Sequence, residues 1–298
     1  MFRGSLVAIV TPMRPDGSID PSAWDALLDW HLASGTAGIV IGGTTGESVT
    51  LTDAELGQLV ASARQRLGGR LPIIAGVGGS STAAVAGRAR SLDASGADAL
   101  LVVTPAYNRP TQEGLYRHFA AVAAASSLPL VLYNVPSRTA VDLLPDTVGR
   151  LAKLPRVVAV KEAVASIGRI RDLVAACGPE FDVLSGDDAT AREAVAAGAR
   201  GVISVTANVA PEPMARMMAA ALRGDPAEAA RIDAALAALH QALFVEANPI
   251  PVKWALAELG RIPSGIRLPL TELSAAQQPA VRRAMEAAQL KQAMAVRA

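Results

Sequence analysis

The sequence predicts an α/β protein built as a (β/α)₈ TIM barrel with a C-terminal helical appendage. Eight short apolar runs recur along residues 5–205, and the segments between them carry apolar residues at helical spacing. Regular alternation of strand and helix implies parallel pairing through right-handed crossovers. Eight such units in this length fit a closed barrel, commonly about 250 residues, better than an open doubly wound sheet.

The first run, Ser5 to Val10, is too short for a signal core and meets Thr11-Pro12 without a small-residue cleavage site, so it reads as a strand. A helix over Pro21 to Ala33 leads to a strand at Gly38 to Ile41, and a helix over Asp53 to Leu67 leads to Pro72 to Val77. Helices over Thr82 to Ser95 and Gln112 to Ala125 flank the strand Ala99 to Val103. These helical segments often open with Asp, Thr or Pro, as helix starts do. Leu128 to Tyr133, Val157 to Lys161, Asp182 to Ser185 and Gly201 to Val205 complete the eight strands. The barrel is expected over 1–224. An Ala-rich helical region over 225–298, broken near Asn248-Pro249-Ile250-Pro251 and at Ile262 to Leu270, reads as scaffold packed on it.

Apolar residues make up 51% of the 298, charged residues 18%, and the net charge is +1. That leaves no electrostatic footprint for nucleic acid or an acidic membrane, so the expected partners are small molecules and protein chains. No stretch approaches the roughly 20 apolar residues that span a bilayer, and a cytoplasmic protein is expected. Cys177 reads as a small buried hydrophobe on a helix. His31, His118 and His240 lack metal-type spacing, so no metal is expected and each histidine reads as structural or solvent-facing. The glycine cluster Gly76-Val77-Gly78-Gly79 follows a strand, but alone it is weak support for a dinucleotide site.

Lysine is scarce: of 28 basic residues only Lys153, Lys161, Lys253 and Lys291 are lysines. Imine formation needs an amine that can lose its proton, which guanidinium cannot do. Lys161 closes the buried run Val157-Val158-Ala159-Val160, and burial of an amine favours its neutral, nucleophilic form. The other three lysines have no comparable setting in the sequence.

Catalytic residues of such barrels follow the strands. The polar strand ends here are Gly43-Thr44-Thr45-Gly46-Glu47-Ser48, Thr104-Pro105-Ala106-Tyr107-Asn108-Arg109-Pro110, Tyr133-Asn134-Val135-Pro136-Ser137-Arg138-Thr139, Lys161-Glu162-Ala163 and Ser185-Gly186-Asp187-Asp188. Amides of the Thr44-Thr45-Gly46 turn are suited to a carboxylate. Tyr133 ends its strand as Lys161 ends the next, and a phenol there can carry protons. Arg138 offers a planar fork for a second carboxylate. A nicotinamide oxidoreductase would explain only the glycine cluster, and a non-catalytic barrel none of these ends.

These segments, with Glu246-Ala247-Asn248-Pro249-Ile250-Pro251-Val252-Lys253-Trp254, resemble the dihydrodipicolinate synthase branch of the pyruvate-dependent class I aldolases, from Phe2 to Thr271. The resemblance implies that Lys161 forms an imine with pyruvate, and that the enamine attacks aspartate 4-semialdehyde in lysine and diaminopimelate synthesis. It implies no cofactor. Tyr133, Thr44 and Tyr107 would form a proton relay, Tyr107 entering from a neighbouring subunit of a homotetramer built as a dimer of dimers. Thr45 would hold the pyruvate carboxylate, Arg138 that of the semialdehyde, and Gly186 and Ile203 would contact substrate. The alternative is a related aldolase acting on a sugar acid or another small keto acid; such sister enzymes typically lack the Ser-Arg-Thr that follows Val135-Pro136 here.

Two departures from the family pattern stand out. Ala140 replaces a usual glycine and is expected to crowd or re-aim Arg138. Ala106, Leu56, Ser80 and Ala84 stand where lysine-inhibited members carry polar or charged groups, so feedback by lysine is expected to be weak.

Overall fold

In the computed structural model, which describes residues 1–290, the apolar runs pair side by side in chain order and close on themselves. The order is β1 (Gly4–Ala8), α1 (Pro21–Ala33), β2 (Gly38–Ile41), α2 (Asp53–Leu67), β3 (Ile73–Val77), α3 (Thr82–Ser91), β4 (Ala99–Val103), α4 (Gln112–Ala125) and β5 (Leu130–Asn134). It continues through α5 (Pro136–Thr139), α6 (Pro145–Leu151), β6 (Val157–Glu162), α7 (Ile167–Cys177), β7 (Asp182–Ser185), α8 (Ala191–Ala196), β8 (Gly201–Ser204) and α9 (Pro211–Leu222). Three further helices follow: α10 (Pro226–Ala242), α11 (Ile250–Glu258) and α12 (Gln278–Ala287). All strand pairs are parallel, and β8 returns to β1 with Gly4 opposite Gly201. Lys291 and the end of the expected helical region lie outside the described residues.

Local chemistry sets the element ends. The Asp20 carboxylate accepts from the amides of Ser22 and Ala23 to start α1, and Thr52 and Glu55 form a reciprocal capping box on α2. The helix expected to reach Ser95 stops at Ser91, because Asp93 turns away to accept from Ser126 Oγ at 2.5 Å and the Ser127 amide at 3.1 Å. The first strand ends at Ala8, two residues early, because the Val10 amide donates to Asn208 Oδ1. The eighth ends at Ser204, because the amides of Val205 and Thr206 donate to Asp188 Oδ2. The fifth begins after Pro129, which has no amide hydrogen to donate.

Side chains alternate across each strand. Leu6, Ala8, Val40, Leu101, Val131 and Ala159 are among those that fill the lumen, while the intervening residues pack against the helices as a second cluster. One irregularity interrupts the alternation. Leu130 stands opposite Val157, yet Val131 stands opposite Ala159, so Val158 is an extra residue in β6. With it, Tyr133 faces Lys161 and Asn134 faces Glu162. Without it, Tyr133 would meet Val160, and Lys161 would turn outward to the helices.

All three histidines are buried, each with Nδ1 2.9 Å from a threonine hydroxyl: His31 with Thr36, His118 with Thr82, and His240 with Thr206. Burial pushes His31 down to about 3 and His118 to about 4. Of the two roles expected for the histidines, the structural one holds. Cys177 is half-buried on α7, with its thiol pushed up to about 11 by burial. Among the described residues, no helix is long and apolar enough to cross a membrane, and no His, Cys, Asp and Glu side chains cluster as a metal site.

The Gly76 cluster also has a structural cause. A Cβ at Gly76 would stand 2.0 Å from the Gly42 carbonyl oxygen and 3.0 Å from the Gly43 amide. Backbone cannot yield as a flexible side chain does, so Gly76→Ala is expected to lower stability by at least about 1–3 kcal/mol. The urea unfolding midpoint measures this.

Candidate active site

Parallel barrels do chemistry at the C-terminal ends of their strands. There, Val103, Tyr133, Lys161 and Leu184 lie in register across β4, β5, β6 and β7. Lys161 is 5% exposed, and its Nζ lies 4.4 Å from the centroid of the Tyr133 ring. Among the described residues it has no carboxylate partner. A second lysine shares the burial but not the freedom. Lys253 on α11, 4% exposed, is ion-paired to Glu47, 2% exposed. Burial pulls the Lys253 ammonium below its ordinary value, and the Glu47 charge opposes the shift. The expectation that no other lysine has a comparable setting is therefore corrected: Lys253 is as buried as Lys161, through a contact 206 positions away in sequence.

The turn after β2 is pinned from inside. The amides of Gly46, Glu47 and Ser48 donate to the carbonyls of Gly43, Thr44 and Gly43 at 3.0, 3.1 and 3.2 Å. Of the expected anion-binding stretch, only the Thr44 and Thr45 amides remain without a partner among the described residues, so Gly46 is not a free donor. Thr45 is buried, and its hydroxyl accepts from Asn248 Nδ2 at 2.9 Å.

A cavity of about 560 Å³ opens at this end, and its wall includes Thr44, Val103, Arg138 and Asn248. Lys161 and Tyr133 are not part of that wall, but Val103, the register partner of Tyr133, is. Two guanidinium groups face the cavity. Arg88 is held by Asp53 at 3.0 Å, whereas Arg138 has no carboxylate partner among the described residues and donates only to the Asn248 carbonyl at 3.1 Å. Arg138 therefore remains available to an anion. The one-turn helix α5 that carries it ends at Ala140, in the left-handed region with φ 57°, where the amide still closes onto the Pro136 carbonyl at 2.9 Å. Ala140 is exposed and keeps the turn at a cost in strain of about 1–2 kcal/mol.

The remaining expected residues divide. The Gly186 amide donates to the Glu162 carbonyl at 2.6 Å just after β7, and a Cβ there would meet Ala163 at 3.0 Å. Ile203 is fully buried in the lumen opposite Leu6. Lys161 is buried, whereas Tyr107 is 94% exposed. Its loop is nonetheless fixed, since Asn108 Nδ2 donates to the Ser80 carbonyl and Ser80 Oγ to the Ala106 carbonyl, both at 2.9 Å.

The profile of the dihydrodipicolinate synthetase family matches residues 1–288. The chain belongs to this family. It is 55% identical over 288 residues to the 4-hydroxy-tetrahydrodipicolinate synthase of Alkalilimnicola ehrlichii, covering 97% of this chain and 99% of that protein. The enzyme of the same name from Thioalkalivibrio sulfidiphilus is 53% identical over 97% of this chain and 98% of its own. The crystal structure of the Acinetobacter baumannii dihydrodipicolinate synthase complexed with pyruvate superposes with a TM-score of 0.96 at 47% identity, covering 97% of this chain and all of that one.

What sequence reading missed in this family member is the roof of the site. Asn248 bridges Thr45 and Arg138, and Glu47 joins Lys253 while also accepting from the Arg267 amide at 3.1 Å. The C-terminal region is therefore not scaffold alone, since Asn248 and Pro249 form cavity wall. The available signal was the rarity of lysine alone, since the partner of Lys253 lies 206 positions away. Glu47→Gln leaves a buried ammonium unpaired and is expected to cost about 3–5 kcal/mol. Thermal and urea unfolding measure the loss.

Proposed function

We propose that the protein is a 4-hydroxy-tetrahydrodipicolinate synthase, joining pyruvate to L-aspartate 4-semialdehyde through a Schiff base on Lys161. The observation that carries this reading is Lys161 itself, a buried amine without a carboxylate partner among the described residues, set against a phenol at the catalytic end of the barrel. The Lys161 amine adds to the keto carbon of pyruvate, and water leaves as the imine forms. Loss of a methyl proton gives the enamine, whose carbon attacks the aldehyde. The amino group of the bound semialdehyde then displaces lysine and closes the ring.

Tyr133, with Thr44, passes protons through these steps, and Tyr107 joins the relay from a second copy of the chain. Its near-complete exposure on a fixed loop supports an interface there, within a dimer of dimers. The free Thr44 and Thr45 amides suit the pyruvate carboxylate and Arg138 that of the semialdehyde, with Gly186 and Ile203 beside the substrate. On this reading residues 1–224 form the catalytic barrel, and the helical region that begins at 225, described as far as residue 290, packs on it.

A coupled assay with pyruvate, aspartate 4-semialdehyde, added dihydrodipicolinate reductase and NADPH tests the activity. Turnover is expected, and its absence with intact pyruvate trapping would assign a different aldehyde. Borohydride in the presence of pyruvate is expected to add mass at Lys161. Lys161→Arg keeps charge and should abolish trapping, while Tyr133→Phe should slow turnover about 10²–10⁴-fold. Activity surviving in Lys161→Arg would exclude the Schiff-base route.

Lysine is expected to inhibit weakly or not at all. Leu56, Ser80 and Ala106 line the cavity as apolar or small groups, with the Ser80 hydroxyl already donating to the Ala106 carbonyl. Half-maximal inhibition at submillimolar lysine in the same assay would overturn this expectation.

A further inference from the structure

One residue beyond Tyr133 and Lys161, on the outer side of the barrel, Asn134 and Glu162 form the next register pair. Both are almost completely buried, at 0% and 1% exposure. Asn134 Nδ2 donates to both Glu162 carboxylate oxygens, at 3.1 and 3.0 Å, and to Asp142 Oδ1 at 2.8 Å. Asn134 Oδ1 accepts from the Leu143 amide at 2.9 Å, and Glu162 Oε1 from the Val164 amide at 2.8 Å. Arg169 closes the network with Asp142 at 2.6 Å and Glu162 at 3.7 Å. Every polar atom of the two side chains is thus used, and their backbones continue the ladder, Asn134 O accepting from Ala163 and Glu162 O from Gly186.

The extra residue Val158 offsets the register of β6 against β5 by one position. A slip would turn Lys161 out of the lumen, and register is set by which side chains each face buries, not by the ladder bonds, which repeat at every position. Resting on the reading of Lys161 as the Schiff-base residue, we propose that Asn134 and Glu162 are positioning residues, a buried brace outside the barrel that locks the register of β5 and β6 and so holds Lys161 against Tyr133. The brace acts through geometry. An acceptor at position 162 suffices, and the negative charge is secondary.

Borohydride trapping of pyruvate on wild-type Lys161 comes first; no adduct there removes the lysine reading and this proposal together. With the adduct secured, Asn134→Ala and Glu162→Ala are assayed at a temperature where near-ultraviolet circular dichroism shows them folded. Each is expected to lose about 10- to 100-fold in kcat, the effect of a misplacement near 1 Å. KM for pyruvate should stay close to wild type, because the carboxylate-binding amides are untouched. Glu162→Gln, which keeps an acceptor for Asn134 and Val164, should retain near-normal kcat. Leu236→Ala, in the buried face of α10, serves as a variant that loses stability without losing kcat. If Asn134→Ala does not fold, Asn134→Asp, isosteric but repelling Glu162, replaces it with the same expected fall. Wild-type kcat in the folded position-134 and Glu162→Ala variants, an equal fall in Leu236→Ala, or a Glu162→Gln as impaired as Glu162→Ala would overturn the proposal.

Discussion

The site depends on the pairing of Tyr133 with Lys161 across two neighbouring strands, and that pairing exists because β6 carries one residue more than β5 at Val158. Strand side chains have a period of two, so a single extra residue decides whether everything after it points into the barrel or out of it. Here it sends Ala159 and Lys161 to the lumen and Val160 and Glu162 to the helices. Below this row the lumen is filled mainly by apolar side chains, and Asp182, which faces inward opposite Ala159, is tied to the Met1 ammonium and the Phe2 amide. The outward carboxylate has no route to water, and Asn134, the Val164 amide and Arg169 satisfy it.

The second dependence is between the turn after β2 and the C-terminal helices. Glu47 is a buried acid at positive φ whose charge is matched by Lys253 and whose other oxygen takes the Arg267 amide. Arg267 in turn grips Glu55 at 2.5 Å and the carbonyls of Thr50 and Gly17 at 2.7 and 2.9 Å. Asn248 hangs from the same region between Thr45 and Arg138. Two candidate anion-binding elements after different strands are thus joined through the side-chain amide and backbone carbonyl of one residue. This explains how the Ala140 strain is tolerated: Arg138 is positioned by Asn248 as well as by the turn that Ala140 ends.

Most of the architecture was legible before any coordinates. Three strands and three helices begin and end where the sequence places them, because Asp20, Thr52 and Thr111 cap locally and the strands are apolar runs between turn residues. The errors at Ser95, Val10 and Val205 share one cause, since Asp93, Asn208 and Asp188 engage backbone or side chains far along the chain and end the element early. Lys161, Tyr133, Thr44, Thr45 and Arg138 were singled out as candidates because strand ends are recognisable and lysine is rare. Lys253 and Asn248 were passed over because a buried lysine on a helix looks like any helical lysine until its partner is known.

Composition and periodicity by themselves determined a parallel barrel and singled out its C-terminal face and Lys161 as candidates for the chemistry, because each follows from local spacing and residue type. Only the tertiary structure decided which way Lys161 points, which buried lysine is neutralised, and which amides of the Thr44 turn stay free. Those outcomes are set by strand register and by contacts between residues some two hundred positions apart, such as Thr45 with Asn248. Neither leaves a periodic trace in the chain.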